Sequence, residues 1–333
     1  MTPEEVKALV VSLGEAGYRA GQLYSWLAKG TPFSEMTNLP AAFRQKIAEH
    51  TAWYLPEIAE KHVSAEDGTV KYLLSLHDGE CVECVFMRYH HGNTLCISSQ
   101  AGCRMGCRFC ASTIGGLKRN LTPGEIAGQI LAAQRETGQR ISHVVVMGTG
   151  EPFDNYENLA KFLHIIHDPN GLNLSMRNIT VSTCGLVPMI ARFAEDFPQV
   201  NLAISLHAVS NEMRDEIMPV NKAYPMETLL SACRDYTQKT ARRVTFEYTL
   251  VKGVNDSAEY ARKLAARLQG MLCHVNLIPL NKVEETGYDT SERGAVLRFQ
   301  QVLTECGIPA TIRRELGDDI DAACGQLRLA EKG

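Results

Sequence analysis

Residues 101–110 read Ala101-Gly-Cys-Arg-Met-Gly-Cys-Arg-Phe-Cys and place three cysteines within eight residues. The spacing of Cys103, Cys107 and Cys110 supplies thiolates to three of the four irons of a 4Fe-4S cluster. The fourth iron would stay open for the amino and carboxylate groups of S-adenosylmethionine, which one electron cleaves to a 5'-deoxyadenosyl radical. The motif therefore predicts radical chemistry. The alternatives are a zinc knuckle, for which a fourth Cys or His at matching spacing is missing, and three unrelated buried thiols.

Length and composition fit that interpretation. The chain has 333 residues and 45% hydrophobic content, enough for one barrel-sized domain and a small appendage. We find no apolar run of about 18 residues, and the acidic, amphipathic start does not resemble a leader, so we expect a cytoplasmic protein without a membrane partner. Eleven cysteines, an odd number, favour reduced thiols and metal ligation over a disulfide framework.

The net charge of -4 does not by itself indicate a nucleic-acid partner, because a phosphate backbone favours concentrated Lys and Arg. Basic residues nevertheless occur in pairs, and each pair is either an RNA contact or part of a solvated surface. The pairs are Arg104 and Arg108, Lys118 and Arg119, Arg242 and Arg243, and Arg313 and Arg314.

The amino-terminal part of the chain favours short amphipathic helices at residues 3–13, 20–29 and 41–50, separated by glycine and proline turns. Residues 70–88 instead have strand-like runs on either side of a His77-Asp-Gly turn, which predicts a β-hairpin. We expect a helical accessory domain over residues 1–65 and a larger domain over residues 66–333.

Beyond residue 94, strand-like and helix-like segments alternate. Strand-like runs lie at 94–98, 143–147, 178–182, 201–206, 243–248 and 274–278, and helical stretches include 122–137, 159–167, 188–197 and 257–268. Six βα units predict a parallel sheet, which a βα-like piece at 296–313 would close. We expect an α/β fold, a partial (β/α)6 barrel with the helical domain and the hairpin as extensions. A doubly wound open sheet is the alternative.

Polar or glycine-rich clusters follow four of the predicted strands. These clusters are Gly148-Thr-Gly-Glu-Pro, Ser182-Thr-Cys-Gly, Ser205-Leu-His-Ala and Pro279-Leu-Asn. The carboxyl ends of parallel barrel strands converge on one mouth, so the clusters together predict a ligand site, although each alone is more typical of a tight turn. The Glu151 carboxylate is placed to receive the ammonium group of a bound amino acid.

The tail sequence Gly317-Asp-Asp-Ile-Asp-Ala-Ala-Cys-Gly-Gln-Leu surrounds Cys324 with small residues. Small neighbours allow a loop to carry its thiol into a crowded site, where a thiolate is an effective nucleophile toward a sulfonium methyl group. Cys324 is therefore a candidate for a methylated intermediate, and a free buried cysteine is the alternative interpretation.

Several of these motifs together resemble the RlmN/Cfr family of radical S-adenosylmethionine RNA methyltransferases, and most closely its RlmN branch. The resemblance spans essentially the whole chain, including the helical amino-terminal part. The matching stretches are Tyr18-Arg-Ala-Gly-Gln-Leu-Tyr-Ser-Trp-Leu, Thr94-Leu-Cys-Ile-Ser-Ser-Gln-Ala-Gly-Cys with the cysteine loop, Gly115-Gly-Leu-Lys-Arg-Asn-Leu, Met147-Gly-Thr-Gly-Glu-Pro, Ser205-Leu-His, Gly253-Val-Asn-Asp and Asp318-Asp-Ile-Asp-Ala-Ala-Cys-Gly-Gln-Leu.

The resemblance implies a role for individual residues. Cys324 would carry the methyl group, Cys96 would resolve a protein–RNA crosslink and leave a transient disulfide with Cys324, and Glu83 would accept a proton from the adenine carbon. A strand-surface ion pair is the alternative for Glu83. Cys103, Cys107 and Cys110 would hold the 4Fe-4S cluster, and S-adenosylmethionine would be bound by Gly150, Glu151, Ser182, Ser205, Leu206, His207 and Asn281.

The resemblance also implies a substrate and partners. The RlmN branch methylates carbon 2 of an adenosine in 23S rRNA and in tRNA, with two S-adenosylmethionine molecules per turnover and an electron donor such as flavodoxin or ferredoxin. The Cfr branch methylates carbon 8 of a 23S rRNA adenosine and is the alternative. Two further hypotheses are an activating enzyme for a glycyl-radical protein, which shares the cysteine loop, and a metal-stabilised RNA-binding module without turnover.

Overall fold

Three helices build the amino-terminal part of the protein. The computed structural model describes residues 1–52, 54–281, 287–314 and 316–327. Helices α1 (Pro3–Ser12), α2 (Arg19–Leu27) and α3 (Ala41–His50) confirm the predicted amphipathic segments. Helix α1 begins where the Thr2 side chain accepts from the Glu5 amide and the Glu5 carboxylate accepts from the Thr2 amide, a capping box. The buried faces of the helices pack together in a core of their own.

The rest of the chain is organised around one ten-stranded sheet. Its strands are β1 (Glu57–Val63), β2 (Val70–Ser75), β3 (Cys81–Tyr89), β4 (Gly92–Ile97), β7 (His143–Val146), β8 (Ile179–Thr183), β9 (Asn201–Ser205), β10 (Val244–Leu250), β11 (Cys273–Pro279) and β12 (Ala310–Ile312). A short second sheet pairs β5 (Gln100–Gly102) with β6 (Leu117–Asn120).

Within the large sheet, neighbouring strands follow one another in chain order, β1-β2-β3-β4-β7-β8-β9-β10-β11-β12. The pairs from β4 to β12 are all parallel, so the carboxyl ends of these strands lie at one edge. A doubly wound sheet would reverse its strand order at a switch point. The sequential order therefore confirms the predicted α/β barrel-type fold and not the alternative.

The predicted hairpin is part of a larger antiparallel unit. Strands β2 and β3 pair as expected, but β1 also pairs with β2, and β3 pairs with β4. Strand β4 thus joins the antiparallel unit to the barrel: Cys96 lies opposite Val85 of β3 on one side and beside Val145 of β7 on the other. The predicted accessory domain extends to residue 65, whereas β1 lies within the large sheet.

Helices cover the outer face of the parallel strands. They are α4 (Pro123–Thr137), α5 (Tyr156–His167), α6 (Val187–Asp196), α8 (Met226–Thr240), α9 (Ala258–Leu268) and α10 (Arg293–Glu305). The short helix α7 (Asn211–Ile217) instead lies at the carboxyl ends of the strands, where its Arg214 donates to the Cys184 and Ser205 carbonyls. No prediction covered α7 and α8, which both lie between β9 and β10. No helix in the described ranges is long and apolar enough to cross a membrane.

A buried charged group ties the β2–β3 turn to the barrel. The Arg119 guanidinium in β6 donates to both oxygens of Glu125, at 2.8 and 2.9 Å, and also pairs with Asp78 in the turn. Glu125 is only 3% exposed and caps α4 together with Thr122. Burial alone would raise the pKa of Glu125, but hydrogen bonds from Arg119 and Thr122 outweigh it and keep the pKa below its usual value.

We predict that Glu125→Gln lowers the free energy of unfolding by about 1–3 kcal/mol at pH 7, because Arg119 then loses a charged partner in a buried place. A carboxylate whose folded pKa is lowered stabilises the protein above its unfolded pKa, and this stabilisation is lost as the pH falls through the folded pKa. The free energies of unfolding of wild type and variant, measured in urea, should therefore become equal at acidic pH. Glu259→Gln, which breaks an exposed pair with Lys263, is the control and should change little.

Candidate active site at the mouth of the barrel

Two neighbouring cavities open at the carboxyl ends of the parallel strands. The first, the strand-end cavity, has a volume of about 150 Å³, and the second, the tail cavity, about 40 Å³. The strand-end cavity is lined by residues that include Cys103, Cys107, Cys110, Gly150, Glu151, Ser182, Ser205, His207, Glu247, Asn281, Arg313 and Cys324. The tail cavity is lined by residues that include Val85, Met87, Tyr89, Cys96, Asn281, Arg313, Arg314 and Cys324. All of the residues predicted to bind S-adenosylmethionine, except Leu206, thus line one cavity.

The cysteine loop leaves the short β5–β6 sheet, and its shape requires glycine at position 102. Gly102 has a φ of 75°, and a Cβ atom there would lie 1.9 Å from the carbonyl oxygen of Gly116. This close approach lets the Cys103 amide donate to the same oxygen, at 3.2 Å. On its other side the loop contacts α7, where the Arg108 amide donates to the Ile217 carbonyl at 3.0 Å.

The three loop thiols fit a 4Fe-4S cluster. Burial raises the pKa of Cys103 to about 12 and also raises the pKa values of Cys107 and Cys110, so the thiolates need a cationic partner to persist. Within the described ranges, no three His, Cys, Asp or Glu side chains are grouped to hold a single metal ion. A 4Fe-4S cluster instead binds each thiolate through a separate iron, and all three loop cysteines line the strand-end cavity.

Glu151 places a buried carboxylate on the wall of the strand-end cavity. Its two oxygens accept from the amides of Phe153, at 3.0 Å, and Cys184, at 2.8 Å. Burial raises the pKa of Glu151, although these hydrogen bonds act in the opposite direction. A cation in the cavity would stabilise the ionised carboxylate. The ammonium group that we predict to bind Glu151 would be such a cation.

Gly150 allows the backbone to pass close to Gln100. It has a φ of 105°, and a Cβ atom at this position would lie 2.5 Å from the Gln100 Cβ. The Gln100 side chain accepts from the Glu151 amide at 2.8 Å, so this contact also fixes the start of the Glu151 segment. The glycine is required here by both its conformation and its packing.

His207 and Leu206 follow β9 and take different positions. His207 is buried, lines the cavity and accepts at Nδ1 from the Thr249 amide at 2.9 Å. Burial and the nearby Arg214 lower the pKa of His207 to about 3, so its ring is neutral near pH 7. Leu206 is fully buried in the hydrophobic core and does not line the cavity; its carbonyl accepts from Arg214.

The tail brings Cys324 between the two cavities, and it lines both. The Asn281 side chain donates to the Cys324 carbonyl at 3.0 Å, and the Ala111 amide donates to the Gly325 carbonyl at 2.8 Å. On the other side, Lys71 donates to the Asp321 carbonyl at 3.2 Å. The end of β11, the cysteine loop and the antiparallel unit therefore all hold the tail.

Cys96 lines the tail cavity together with Cys324. Burial and the neighbouring Cys324 together raise the pKa of Cys96 to about 12, although Arg313 acts in the opposite direction. Glu83 does not line either cavity. It lies on β3 two residues from Val85, on the face that packs against the tail, and its carboxylate is 3.4 Å from the Lys71 ammonium group. The ion pair considered for Glu83 is thus present, but in a buried setting.

Sequence reasoning missed two charged residues of the site. Glu247 on β10 lines the strand-end cavity and accepts from Asn276 at 2.9 Å. Arg313, considered only as part of a basic surface pair, lines both cavities, and Cys324 is the main cause that raises its pKa. The sequence of β10 could have predicted Glu247, because polar and apolar residues alternate along this strand. Thr245, Glu247 and Thr249 occupy every second position and therefore share one face.

Comparisons with known proteins agree with this architecture. The model of the Radical SAM superfamily matches residues 97–265, and that of the ribosomal RNA large subunit methyltransferase N-terminal domain matches residues 1–52. The crystal structure of a radical SAM methyltransferase from Sphaerobacter thermophilus is similar at a TM-score of 0.94 and 44% identity, covering 98% of this chain and 97% of that chain. Streptococcus suis SuiB bound to S-adenosylmethionine shares the fold alone, at a TM-score of 0.50 and 12% identity over 67% of this chain and 53% of that chain.

Curated relatives match over nearly their whole length. A "Probable dual-specificity RNA methyltransferase RlmN" of Geobacillus kaustophilus is 50% identical and covers 100% of this chain and 92% of that protein. A relative of the same description from Clostridium botulinum is 52% identical, with coverage of 98% and 94%.

The fold and the cavity with its cysteine loop define a radical S-adenosylmethionine enzyme. Within that class, the chain belongs to the RlmN family of RNA methyltransferases. As a member of the Radical SAM superfamily, it has a 4Fe-4S cluster and S-adenosylmethionine as cofactors.

We predict that Gly150→Ala weakens S-adenosylmethionine binding at least about tenfold, because the new methyl group collides with Gln100 and displaces the cavity wall. Calorimetric titration of the cluster-loaded protein measures the affinity. Gly21→Ala, in α2 with nothing within 4 Å of the added Cβ, is the matched control and should leave the affinity unchanged. Equal affinities of Gly150→Ala and wild type would contradict the assignment of the strand-end cavity as the S-adenosylmethionine site.

Proposed function

We propose that the protein methylates carbon 2 of an adenosine in 23S rRNA, and of an adenosine in tRNA, through a methyl group carried on Cys324. The single observation that supports this proposal most is the position of Cys324, which lines both the strand-end cavity and the tail cavity. A thiol at such a junction can receive a methyl group on one side and present it to a base on the other. The relatives described as RlmN support RNA as the substrate class.

In the proposed reaction, Cys103, Cys107 and Cys110 hold the cluster, and the strand-end cavity holds S-adenosylmethionine. When bound, these cofactors supply the methyl group, one electron and the radical that activates an unreactive carbon. The predicted binding residues that line the cavity are Gly150, Glu151, Ser182, Ser205, His207 and Asn281. Leu206 does not line it, and its amide and carbonyl are hydrogen-bonded to Glu247 and Arg214. Glu151 binds the amino group of the ligand, and neutral His207 is available for hydrogen bonding without adding charge.

Cys324 acts first as a nucleophile. Its thiolate forms a sulfur–carbon bond as the sulfonium–methyl bond breaks, and the electron pair of that bond leaves with the departing sulfur. Arg313 lines both cavities beside Cys324, and Cys324 is the main cause of the raised pKa of Arg313, so a guanidinium lies close to the reacting sulfur. The hydrogen bond from Asn281 to the Cys324 carbonyl holds the loop during this step.

Cys96 acts after the methyl carbon has been joined to the base. Its thiolate attacks the Cys324 sulfur, a disulfide forms and the bond from sulfur to the transferred carbon breaks; the electron pair stays with that carbon, which takes up a proton and becomes the methyl group of the product. The shared lining of the tail cavity supports this encounter, and Arg313 is the cation that lowers the cost of ionising the buried Cys96 thiol. An external reductant then restores both thiols.

Glu83 is the proposed acceptor of the proton from the adenine carbon. Its burial on the tail-facing side of β3 supports this role. Lys71 lies between the Glu83 carboxylate and the Asp321 carbonyl of the tail, so the two groups share one cation.

The proposed partners are 23S rRNA, tRNA and a one-electron donor such as flavodoxin or ferredoxin, all met in the cytoplasm. The amino-terminal helices match a domain named for large-subunit rRNA methyltransferases, which supports an RNA-binding role for them. At the tail cavity, Tyr89 offers an aromatic face and Arg314 an exposed cation, the two side-chain types that unpaired nucleotides favour.

We predict that Cys324→Ala still cleaves S-adenosylmethionine to 5'-deoxyadenosine but transfers no methyl group to RNA, because the cluster loop remains and the carrier is lost. Chromatography of the nucleoside products and mass spectrometry of the RNA measure the two reactions. Cys306→Ala, which removes an exposed thiol after α10, is the control and should methylate normally. Unaltered methylation by Cys324→Ala would refute the carrier role and favour an activating enzyme, for which this thiol is irrelevant.

We predict that rRNA and tRNA treated anaerobically with the cluster-loaded protein, S-adenosylmethionine and a reductant yield 2-methyladenosine on nuclease digestion. Liquid chromatography with mass spectrometry separates this nucleoside from 8-methyladenosine by retention time at equal mass. The 8-methyl isomer would instead assign the protein to the Cfr-type reaction. Unmodified RNA alongside efficient S-adenosylmethionine cleavage would contradict both reactions.

A further inference from the structure

Arg214, on α7, is a fully buried arginine that the proposed reaction does not use. Its Nε donates to the Leu206 carbonyl at 3.2 Å, and one terminal nitrogen donates to the carbonyls of Cys184, at 2.6 Å, and Ser205, at 3.1 Å. The other terminal nitrogen donates to the Asn221 side-chain oxygen at 3.2 Å. Within the described ranges, every hydrogen-bond partner of this guanidinium is an uncharged oxygen.

A buried charge with only neutral partners is costly. Carbonyl and amide dipoles solvate a guanidinium in part, but an isolated ion in a low-dielectric interior normally requires an opposite charge nearby. Burial accordingly lowers the pKa of Arg214, and the thiols of Cys184 and Cys107 act in the opposite direction. Arginine nevertheless stays protonated in proteins, so the charge persists. The Asp215 carboxylate also acts on Arg214, but the hydrogen bonds link the two only through Asn221, whose side chain donates to Asp215 at 2.7 Å. The face of the guanidinium toward Cys184 and Cys107 has no carboxylate among its hydrogen-bond partners in the described ranges.

The place of Arg214 shows where such an anion belongs. Cys107 packs in one cluster with Cys184, Ile217 and Met218, the residues that surround Arg214 along the chain and in space. The cysteine loop also rests on α7 itself, through the hydrogen bond from the Arg108 amide to the Ile217 carbonyl. Arg214 thus lies behind the part of the loop that presents Cys107 to the strand-end cavity.

We propose that Arg214 is a positioning residue whose fixed positive charge, held behind Cys107, balances the negative charge of the thiolate-bound cluster and makes its one-electron reduction easier. This inference rests on the proposed assignment of Cys107 as a cluster ligand. Reduction adds one electron from an external low-potential donor and no proton, so the charge of the cluster becomes more negative by one unit. A nearby cation stabilises the reduced form more than the oxidised form.

The same guanidinium couples the cluster loop to the cofactor site. It holds the carbonyls of Cys184 and Ser205 at the ends of β8 and β9, and the Cys184 amide donates to Glu151. A single residue, Cys184, therefore links the buried cation to the buried carboxylate through its carbonyl and its amide. Loss of the charge and loss of the hydrogen bonds have different consequences, and substitutions can separate them.

The test compares three variants after anaerobic cluster reconstitution: Arg214→Met, Arg214→Lys and Asn221→Ala. Arg214→Met removes the positive charge. Arg214→Lys keeps the charge but not the planar guanidinium that donates to several carbonyls. Asn221→Ala removes one hydrogen bond of Arg214 without changing the charge of the site. Dithionite titration followed by electron paramagnetic resonance measures the ratio of reduced to oxidised cluster at a fixed potential, in the absence of RNA. Iron and sulfide content of the wild type first establishes that the cluster is present.

We expect Arg214→Met to lower the ratio of reduced to oxidised cluster about tenfold at a fixed potential. Arg214→Lys should lie close to wild type, and Asn221→Ala should keep the wild-type ratio even if its thermal stability falls. A normal ratio in cluster-loaded Arg214→Met would overturn the inference. Equal loss of the cluster from the methionine and lysine variants would also overturn it, since hydrogen bonding and not charge would then be the requirement. A wild type unable to bind iron and sulfide would instead refute the proposed cluster ligands.

Discussion

The position of the Cys324 thiol depends on hydrogen bonds that the tail backbone accepts from three distant parts of the chain. Asn281 holds the Cys324 carbonyl, Ala111 of the cysteine loop holds the Gly325 carbonyl, and Lys71 of β2 holds the Asp321 carbonyl. These directional hydrogen bonds, together with the packing of Ala322 and Leu327 against Val85 and Cys96, order this segment against its conformational entropy. The tail therefore fixes the relative positions of the cysteine loop, the barrel mouth and the antiparallel unit.

The second constraint is electrostatic. The strand-end cavity places two buried carboxylates, Glu151 and Glu247, and one guanidinium, Arg313, around a small volume, with neutral His207 between them. S-adenosylmethionine carries an ammonium, a carboxylate and a sulfonium group, so a cavity with both signs of charge suits it better than one of a single sign. In a low-dielectric cavity these groups interact strongly, which makes the arrangement selective for the charge pattern of its ligand.

Much of this site was predictable because local patterns encode it. Strand-end clusters follow from the rule that parallel strands present their carboxyl ends together, and Gly150 and Glu151 lie where that rule places them. Leu206 was included among the binding residues because it stands between Ser205 and His207, but its side chain alternates into the core. Helix α7 has only seven residues, and its Arg214 is indistinguishable by sequence from a solvated surface cation until the neighbouring strands are in place.

The sequence by itself determined what depends on residues close together in the chain: the cysteine spacing, the capped helices, the strand periodicity and the glycine at position 102 that lets the loop close on Gly116. Only the tertiary structure decided that Cys96 and Cys324 share a cavity, that Asn281 holds the tail, and that the buried Arg214 donates, among the described residues, to uncharged oxygens. The physical reason is that these contacts join segments far apart in sequence, whose approach is set by the order and twist of the whole sheet and not by any local preference.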